Sequence, residues 1–211
     1  MYLTKAMEDY LRHSQDELKA LIRDLCAMPA PSHQEDARAA YVRDWLKQAG
    51  GCPEIDEAKN VICPLGDDDG DVVVFMAHTD TVFPDLTPMP FREEGGKYFC
   101  PGVCDDTANL AALLLCARYF LQNHLQTQPN LIFVANSCEE GLGNLKGCRA
   151  VADRYGGRLR GLITLDGVQL NAVVSRAVGS HRYRVVVKTE GGHSFNAFGN
   201  RNAIGYLATM I

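Results

Sequence analysis

The apolar residues of the chain form short unbroken runs that alternate with longer segments of helical spacing. The runs "NVICPLG", "VVVFMAH", "NLIFVANS" and "GLITLDG" are mostly apolar, which is typical of strands buried on both faces. Helical spacing predicts helices over about residues 4–26, over "QEDARAAYVRDWLKQAGG" and "DDTANLAALLLCARYFLQNHL", and around "GNLKGCRAVADRYGG". Alternating strands and helices predict an α/β fold with a mainly parallel sheet and helices on both faces.

The pattern changes near residue 180. There "HRYRVVVKTE" alternates charged and apolar residues, which predicts an antiparallel strand with one solvated face. After "GGHSFNAFGNRN", the run "AIGYLATMI" begins a helix, and the chain ends within that helical pattern. We therefore expect a first domain over 1–178 and the start of a second, α+β domain over 179–211.

Composition limits the class of protein. The chain has 211 residues, of which 46% are hydrophobic and 22% charged, with a net charge of −5. No basic stripe appears, which argues against nucleic acid as a partner. No apolar run approaches the ~20 residues that span a bilayer, and the amphipathic start does not resemble a signal peptide. These features predict a soluble cytoplasmic protein.

Eight cysteines are scattered along the chain instead of forming a compact framework. Without an export signal we expect reduced thiols. Cys100 and Cys104 could form half of a zinc–thiolate site. No second Cys or His pair at ligand spacing accompanies them, and this alternative is therefore disfavoured.

Acidic and imidazole side chains follow three predicted strands and precede one helix. In a parallel sheet the carboxyl ends of the strands lie along one edge, where functional crevices form. One crevice would then collect the following residues: His78, Asp80, Asp105, Asp106, Glu139, Glu140 and Asp166. Each piece has an ordinary explanation, such as a surface loop, a solvated acidic pair or a helix cap. Their shared position at strand ends and a helix start favours a functional site.

So many carboxylates in one crevice would repel one another unless cations were bound. Carboxylate oxygens with some imidazole suit zinc, cobalt or manganese. His78 and Asp80 are two positions apart on a strand and share a face. His78 can therefore bind a metal through one ring nitrogen while Asp80 accepts the other N–H.

Five motifs carry a resemblance to a known family: "MAHTDTV", "CPGVCDDTANLAALL", "NSCEEGLGNLKG", "LDG" and "EGGHSFNAFGNRNAI". They resemble the dinuclear zinc aminopeptidases and deacylases of M20 type, which include peptidase T, carboxypeptidase G2, carnosinase, aminoacylase and acetylornithine deacetylase. The motifs occur in the family's order over nearly the whole chain. The resemblance implies a catalytic domain over 1–178 and the start of a lid or dimerisation domain over 179–211.

The resemblance also implies a role for each site residue. His78 and Asp166 would bind one of two divalent metal ions, Glu140 would bind the other, and Asp105 would bridge both. A cis peptide would follow Asp105. The expected metal is Zn²⁺, with Co²⁺ or Mn²⁺ as alternatives.

Three further residues receive catalytic roles from the resemblance. Glu139 would be the general base and Asp80 the residue that orients His78. His193, in the lid, resembles the histidine that reaches across a homodimer to the substrate carbonyl. The implied reaction is hydrolysis of an amide bond in a small peptide or an N-acyl amino acid.

Two departures from the family pattern stand out. Thr107 occupies a position where the family often has lysine. The family also has a second terminal histidine ligand towards its C-terminus, and no candidate follows His193. The chain therefore resembles the N-terminal part of a longer enzyme, and we expect it to associate through open sheet edges when alone. The alternative function is a non-catalytic metal-binding or scaffold protein of the same fold.

Overall fold

The chain forms two units in this computed structural model, which describes residues 3–66, 69–167 and 171–210. The units are Met1–Gln169 and Leu170–Ile211. The expected boundary at 178/179 falls inside the second unit, and the assignment of catalytic and lid roles to the two parts stays a prediction. None of the helices in the described ranges is long and apolar enough to cross a bilayer.

The predicted first helix is two helices, α1 (Lys5–His13) and α2 (Gln15–Cys26), which meet at Ser14. Ser14 has a ψ of 1°, which bends the chain away from the helical path. On either side of the bend, side chains approach main-chain carbonyls: His13 Nδ1 lies 2.6 Å from the Asp9 oxygen, and Gln15 Nε2 donates to Leu11. This competition for the backbone carbonyls explains the break that the periodicity did not indicate.

Helix α3 (Asp36–Gln48) ends at the predicted glycine pair. Gly50 has a φ of 97°, which an L-amino acid with a side chain rarely adopts. The N–H of Gly50 donates to Lys47 and the N–H of Gly51 donates to Leu46. This pair of bonds satisfies the last carbonyls of the helix as a Schellman motif.

A five-stranded sheet lies at the centre of the first unit. Its strands are β1 (Glu54–Ile55), β2 (Val61–Pro64), β3 (Val72–His78), β6 (Asn130–Asn136) and β7 (Leu159–Thr164), in the spatial order β1-β2-β6-β3-β7. Strands β6, β3 and β7 are parallel, whereas β1 and β2 pair antiparallel at one edge. The predicted α/β class with a mainly parallel sheet is confirmed.

Helices cover both faces of this sheet. On one face, α2, α3 and α4 (Ala108–Gln122) contribute to an apolar cluster that includes Leu25, Val42 and Leu114. On the other face, α5 (Lys146–Tyr155) packs Val151 and Tyr155 against alternate residues of β2, β3 and β6. Burial on both faces accounts for the unbroken apolar runs of these strands.

A short hairpin was not predicted from the sequence. It consists of β4 (Arg92–Glu94) and β5 (Lys97–Phe99), joined by Gly95 and Gly96. Both glycines have positive φ, 58° and 73°, as a two-residue type I′ turn requires. The Gly-Gly pair between two short segments was the available signal.

The second unit differs from its prediction in one respect. Residues 181–190 form no strand in the structure, and Val185 and Val186 are exposed. A strand needs a neighbour to receive its backbone hydrogen bonds, and none pairs with this segment among the described residues. The predicted helix start is present as α6 (Ala203–Ala208), where Asn202 Oδ1 accepts the N–H groups of Ile204 and Gly205.

Candidate active site

Three parallel strands end at one edge of the sheet and bring the acidic and imidazole groups together. His78 is the last residue of β3 and pairs in register with Asn136 of β6, while Met76 pairs with Thr164 of β7. Glu139 and Glu140 follow β6, and Asp166 follows β7. The site residues of the first unit therefore meet where the parallel arrangement predicts.

The ring of His78 is 2% exposed and held from both sides. Its Nε2 atom lies 2.9 Å from Asp105 Oδ1. Its Nδ1 atom lies 3.0 Å from the carbonyl oxygen of Asp80 and 3.4 Å from Asp80 Oδ1. Nε2 thus faces the carboxylate of Asp105 while Asp80 contacts Nδ1, as the His-x-Asp spacing suggested.

Asp80 is a fully buried hydrogen-bond acceptor. Its Oδ1 and Oδ2 atoms accept the N–H groups of Glu139 and Glu140, each at 3.0 Å, and Ser32 Oγ donates to Oδ2 at 2.6 Å. Burial opposes its ionisation, but hydrogen bonds from His78, Ser32 and the two N–H groups outweigh burial and lower its pKa. Ser32 was missed because a serine after proline resembles an ordinary turn.

The two aspartates before α4 have opposite environments. The sequence predicted that they begin the helix. They lie instead in an irregular turn, Val103–Thr107, because their backbone angles are non-helical. The bond between them is cis, as the resemblance implied. The Asp105 side chain is 60% exposed, whereas Asp106 is fully buried.

Asp106 restrains the backbone of His78 through a hydrogen bond. It accepts the backbone N–H of His78 at 2.8 Å and the side-chain amide of Asn109 at 2.6 Å. Burial raises the pKa of Asp106 to about 7, although the charge of His78 and these hydrogen bonds act against the rise. Its role as a hydrogen-bond acceptor at the end of β3, and that of Asn109 as its donor, were not foreseen.

Two groups of side chains near His78 have ligand atoms within 4.8 Å of one another: His78 with Asp105 and Asp166, and His78 with Glu139 and Glu140. Imidazole and carboxylate donors are suited to zinc, cobalt or manganese. Neither Cys100 nor Cys104 belongs to these groups.

The electrostatics of the site favour a positive charge at His78. Burial acts to lower the pKa of His78, but Asp80, Asp106 and Asp105 outweigh it and raise that pKa to about 10. Burial raises the pKa of Glu139, and neighbouring acids add to this rise although the charge of His78 opposes it. Burial followed by Asp105 raises the pKa of Glu140. Excess acid around one imidazole fits a bound cation.

His193 lies in the second unit. Its Nδ1 atom accepts the N–H groups of Phe195 and Asn196 at 3.2 and 3.4 Å. In the neutral ring, Nε2 would then carry the proton and act as a donor. The predicted role of His193 stays a prediction.

Residues 74–185 match the family model described as "Peptidase family M20/M25/M40". The chain is 31% identical over 175 residues to a protein from Pyrobaculum aerophilum named as a LysW-lysine/LysW-ornithine hydrolase. That alignment covers 82% of this chain and 48% of the relative, so the chain spans about half the relative's length.

Two solved structures share the fold. Human carnosine dipeptidase 1 matches with a TM-score of 0.62 at 17% identity, covering 77% of this chain and 41% of that one. The YXEP protein of Bacillus subtilis, described as a dinuclear metal-binding M20 peptidase, matches with a TM-score of 0.55 at 18% identity, covering 74% and 44%. With the family match over more than half of its length, this chain belongs to peptidase family M20/M25/M40.

Proposed function

We propose that this protein is a metal-dependent hydrolase that cleaves an amide or peptide bond with Glu139 as general base. The observation that carries this proposal is the pair of potential ligand groups that meet at His78. Glu139 belongs to the second of these groups, and we assign it to proton transfer instead of metal binding. Glu139 lies beside the expected ligands with a raised pKa, which suits a group that must exchange protons.

The residues present fit two divalent ions. His78, Asp105 and Asp166 would hold one, while Glu140, from the other group, would contribute to the second. The resemblance to the family would give Asp105 a place in both sites. Bound metal ions of this kind supply Lewis acidity, which polarises a carbonyl and lowers the pKa of water. Zinc is our first choice of metal, and cobalt or manganese are the alternatives.

Glu139 would take the proton of the attacking water and pass it to the leaving nitrogen. Its backbone N–H is fixed by Asp80, which also contacts His78 Nδ1. The base and the imidazole are thus connected through one buried residue, Asp80, whose main-chain carbonyl oxygen is the nearer partner of His78 Nδ1 at 3.0 Å. A general base must be held within hydrogen-bond reach of its proton, and this connection restrains the backbone from which the Glu139 side chain extends.

The substrate we propose is a small peptide or an N-acyl amino acid. One relative is named as a hydrolase of LysW-linked lysine or ornithine, and a protein of the same fold is named as a carnosine dipeptidase; both names contain small amino-acid units. We further propose that a homodimer brings His193 of one subunit to the substrate carbonyl of the other, where its Nε2–H would stabilise negative charge.

A hydrolysis screen of dipeptides, tripeptides and N-acyl amino acids tests the proposal. The protein is assayed after chelation and again after addition of zinc, cobalt or manganese. We expect turnover that disappears on chelation and returns with metal. Stoichiometric metal binding without turnover of any substrate would instead favour the non-catalytic alternative, and absence of metal binding would contradict both.

A further inference from the structure

Four consecutive backbone N–H groups after β6 each donate to a buried side chain. The N–H of Ser137 donates to Asn60 Oδ1, and that of Cys138 donates to Glu35 Oε1, both at 3.0 Å. The next two, of Glu139 and Glu140, donate to Asp80. We call residues 137–140 the acidic turn. Side chains from three separate segments thus determine the path of the chain that carries the proposed base and a proposed metal ligand.

The acidic turn needs such support because its backbone is not extended like β6. Cys138 has a φ of 54°, in the left-handed region that costs energy for any residue with a side chain. A strained backbone persists only when its surroundings hold it in place. Here the hydrogen bonds to Asn60, Glu35 and Asp80 provide that restraint.

Glu35 has an environment that folding alone does not explain. It is fully buried just before α3, and its Oε1 accepts the N–H of His33, the N–H of Cys138 and the thiol of Cys138. Its Oε2 has no hydrogen-bond partner among the described residues. Burying a carboxylate with one unpaired oxygen is costly, and a better-packed apolar residue would avoid that cost.

Asn60 fixes the other end of the acidic turn. It is fully buried, and its amide donates to the carbonyl oxygen of Gly147 in α5 at 3.0 Å and to Asp56 at 2.8 Å. The N–H of Gly147 in turn donates to Ser137. A Cβ at Gly147 would collide with both Asn60 and Ser137, so glycine is required for this close approach.

We propose that Glu35 and Asn60 are positioning residues that set where the carboxylates of Glu139 and Glu140 stand relative to His78. Neither would touch substrate or reacting atoms, and both act through the backbone of the acidic turn. The proposal rests on the proposed function for its catalytic consequence. Its structural part, that these two side chains hold the acidic turn, is independent of any activity.

The test compares two substitutions that separate the length of the side chain from its carboxyl group. Glu35→Gln keeps the length of the side chain and an acceptor oxygen for Cys138, but replaces the carboxyl group with an amide. Glu35→Asp keeps the carboxyl group but withdraws the acceptor by one methylene. At saturating metal we expect kcat within about 3-fold of wild type for Glu35→Gln, and a loss of about 10- to 100-fold for Glu35→Asp, since small misplacements of catalytic groups cost about that much. KM should change little in both.

A matched control removes stability without touching the acidic turn. Val42 is buried in α3, the helix that Glu35 precedes, and its side chain belongs to the apolar cluster. Val42→Ala should lower the thermal midpoint while leaving kcat unchanged. If Val42→Ala lowered kcat as much as Glu35→Asp, the effect of Glu35 would be one of general stability and the positioning role would be wrong.

Amide hydrogen exchange of residues 137–140 separates this inference from the proposed function. Relative to the amides of strand β6 in the same variant, we expect faster exchange at Cys138 in Glu35→Asp and at Ser137 in Asn60→Ala. Val42→Ala should change exchange in β6 and in the acidic turn together. If wild-type protein hydrolysed nothing, the proposed function would fail while these exchange rates would still decide the positioning claim. Unchanged exchange at Cys138 in Glu35→Asp and at Ser137 in Asn60→Ala would overturn the positioning claim. A lower kcat in Glu35→Gln than in Glu35→Asp would also overturn it.

Discussion

His78 Nε2 lies 2.9 Å from Asp105 Oδ1, so the ring nitrogen available to a metal is also the one that shares a proton with the expected bridging ligand. The surrounding acids raise the pKa of His78 to about 10 despite its burial. Without metal, the imidazole is therefore protonated at neutral pH. Metal binding must displace that proton, because only a neutral nitrogen can coordinate.

Metal binding should consequently release protons. At pH 8, below the raised pKa of His78, we expect about one proton released for the first ion, and an affinity that rises about tenfold per pH unit. Calorimetric titration in two buffers of different ionisation enthalpy measures the released proton. His124 is exposed, and His124→Gln should behave like wild type. Binding without proton release would show that His78 is neutral or does not coordinate.

The two ions should bind unequally. His78 Nδ1 is held by Asp80, so one ring nitrogen alone can serve the two ligand groups that include His78. An ion bound by His78, Asp105 and Asp166 leaves the other with carboxylates only. We expect dissociation constants that differ by at least about tenfold, since imidazole is a strong ligand for such metals. Titration against a competing chelator measures both, and two equally tight sites would contradict this assignment.

Asp80 should contribute stability that depends on pH. Its folded pKa is lowered, so this stability is present above the unfolded value of about 3.9 and is lost as pH falls through the lower folded value. In Asp80→Asn one of the two acceptor oxygens is replaced by an amide nitrogen, so the side chain cannot accept from both Glu139 and Glu140. We expect the free energy of unfolding to fall by about 2–4 kcal/mol at pH 7, given the strength of hydrogen bonds to charged groups.

Urea unfolding of metal-free protein at pH 7 and pH 3 measures this contribution. The free energy of unfolding should fall less steeply with acid in Asp80→Asn than in wild type. Asp16, which is almost fully exposed, supplies the control, because Asp16→Asn should leave the pH dependence unchanged. A wild-type pH dependence in Asp80→Asn would show that the carboxylate is not what stabilises the acidic turn.

The sequence was sufficient to predict the elements that bury apolar runs. Strand β3 and helix α4 are long, apolar and bounded by clear signals, and both are present. The bend at Ser14 was not predictable from periodicity, because side chains of His13 and Gln15 compete locally for backbone carbonyls. The strand expected at 181–190 is absent because an alternating pattern forms a strand only when a neighbour pairs with it.

The candidate site, like the fold, could be predicted from the sequence only in part. The strand-end rule was enough to place His78, Glu140 and Asp166 together, because all of them lie near the end of a strand. Ser32, Glu35 and Asn60 come from other parts of the chain and reach the acidic turn only through tertiary contacts. Nothing in their local sequence marks a polar residue that will be buried against a distant backbone.

The most direct test of metal-dependent hydrolysis by this site is the kcat of Glu139→Gln at full metal occupancy, with Glu94→Gln, on the exposed hairpin, as control. Removing a general base usually costs about 10²-fold or more. We expect Glu139→Gln to retain its fold and metal content while kcat falls at least about 100-fold, and Glu94→Gln to match wild type. A Glu139→Gln enzyme within a few-fold of wild type would show that Glu139 is not the base and contradict the proposed mechanism.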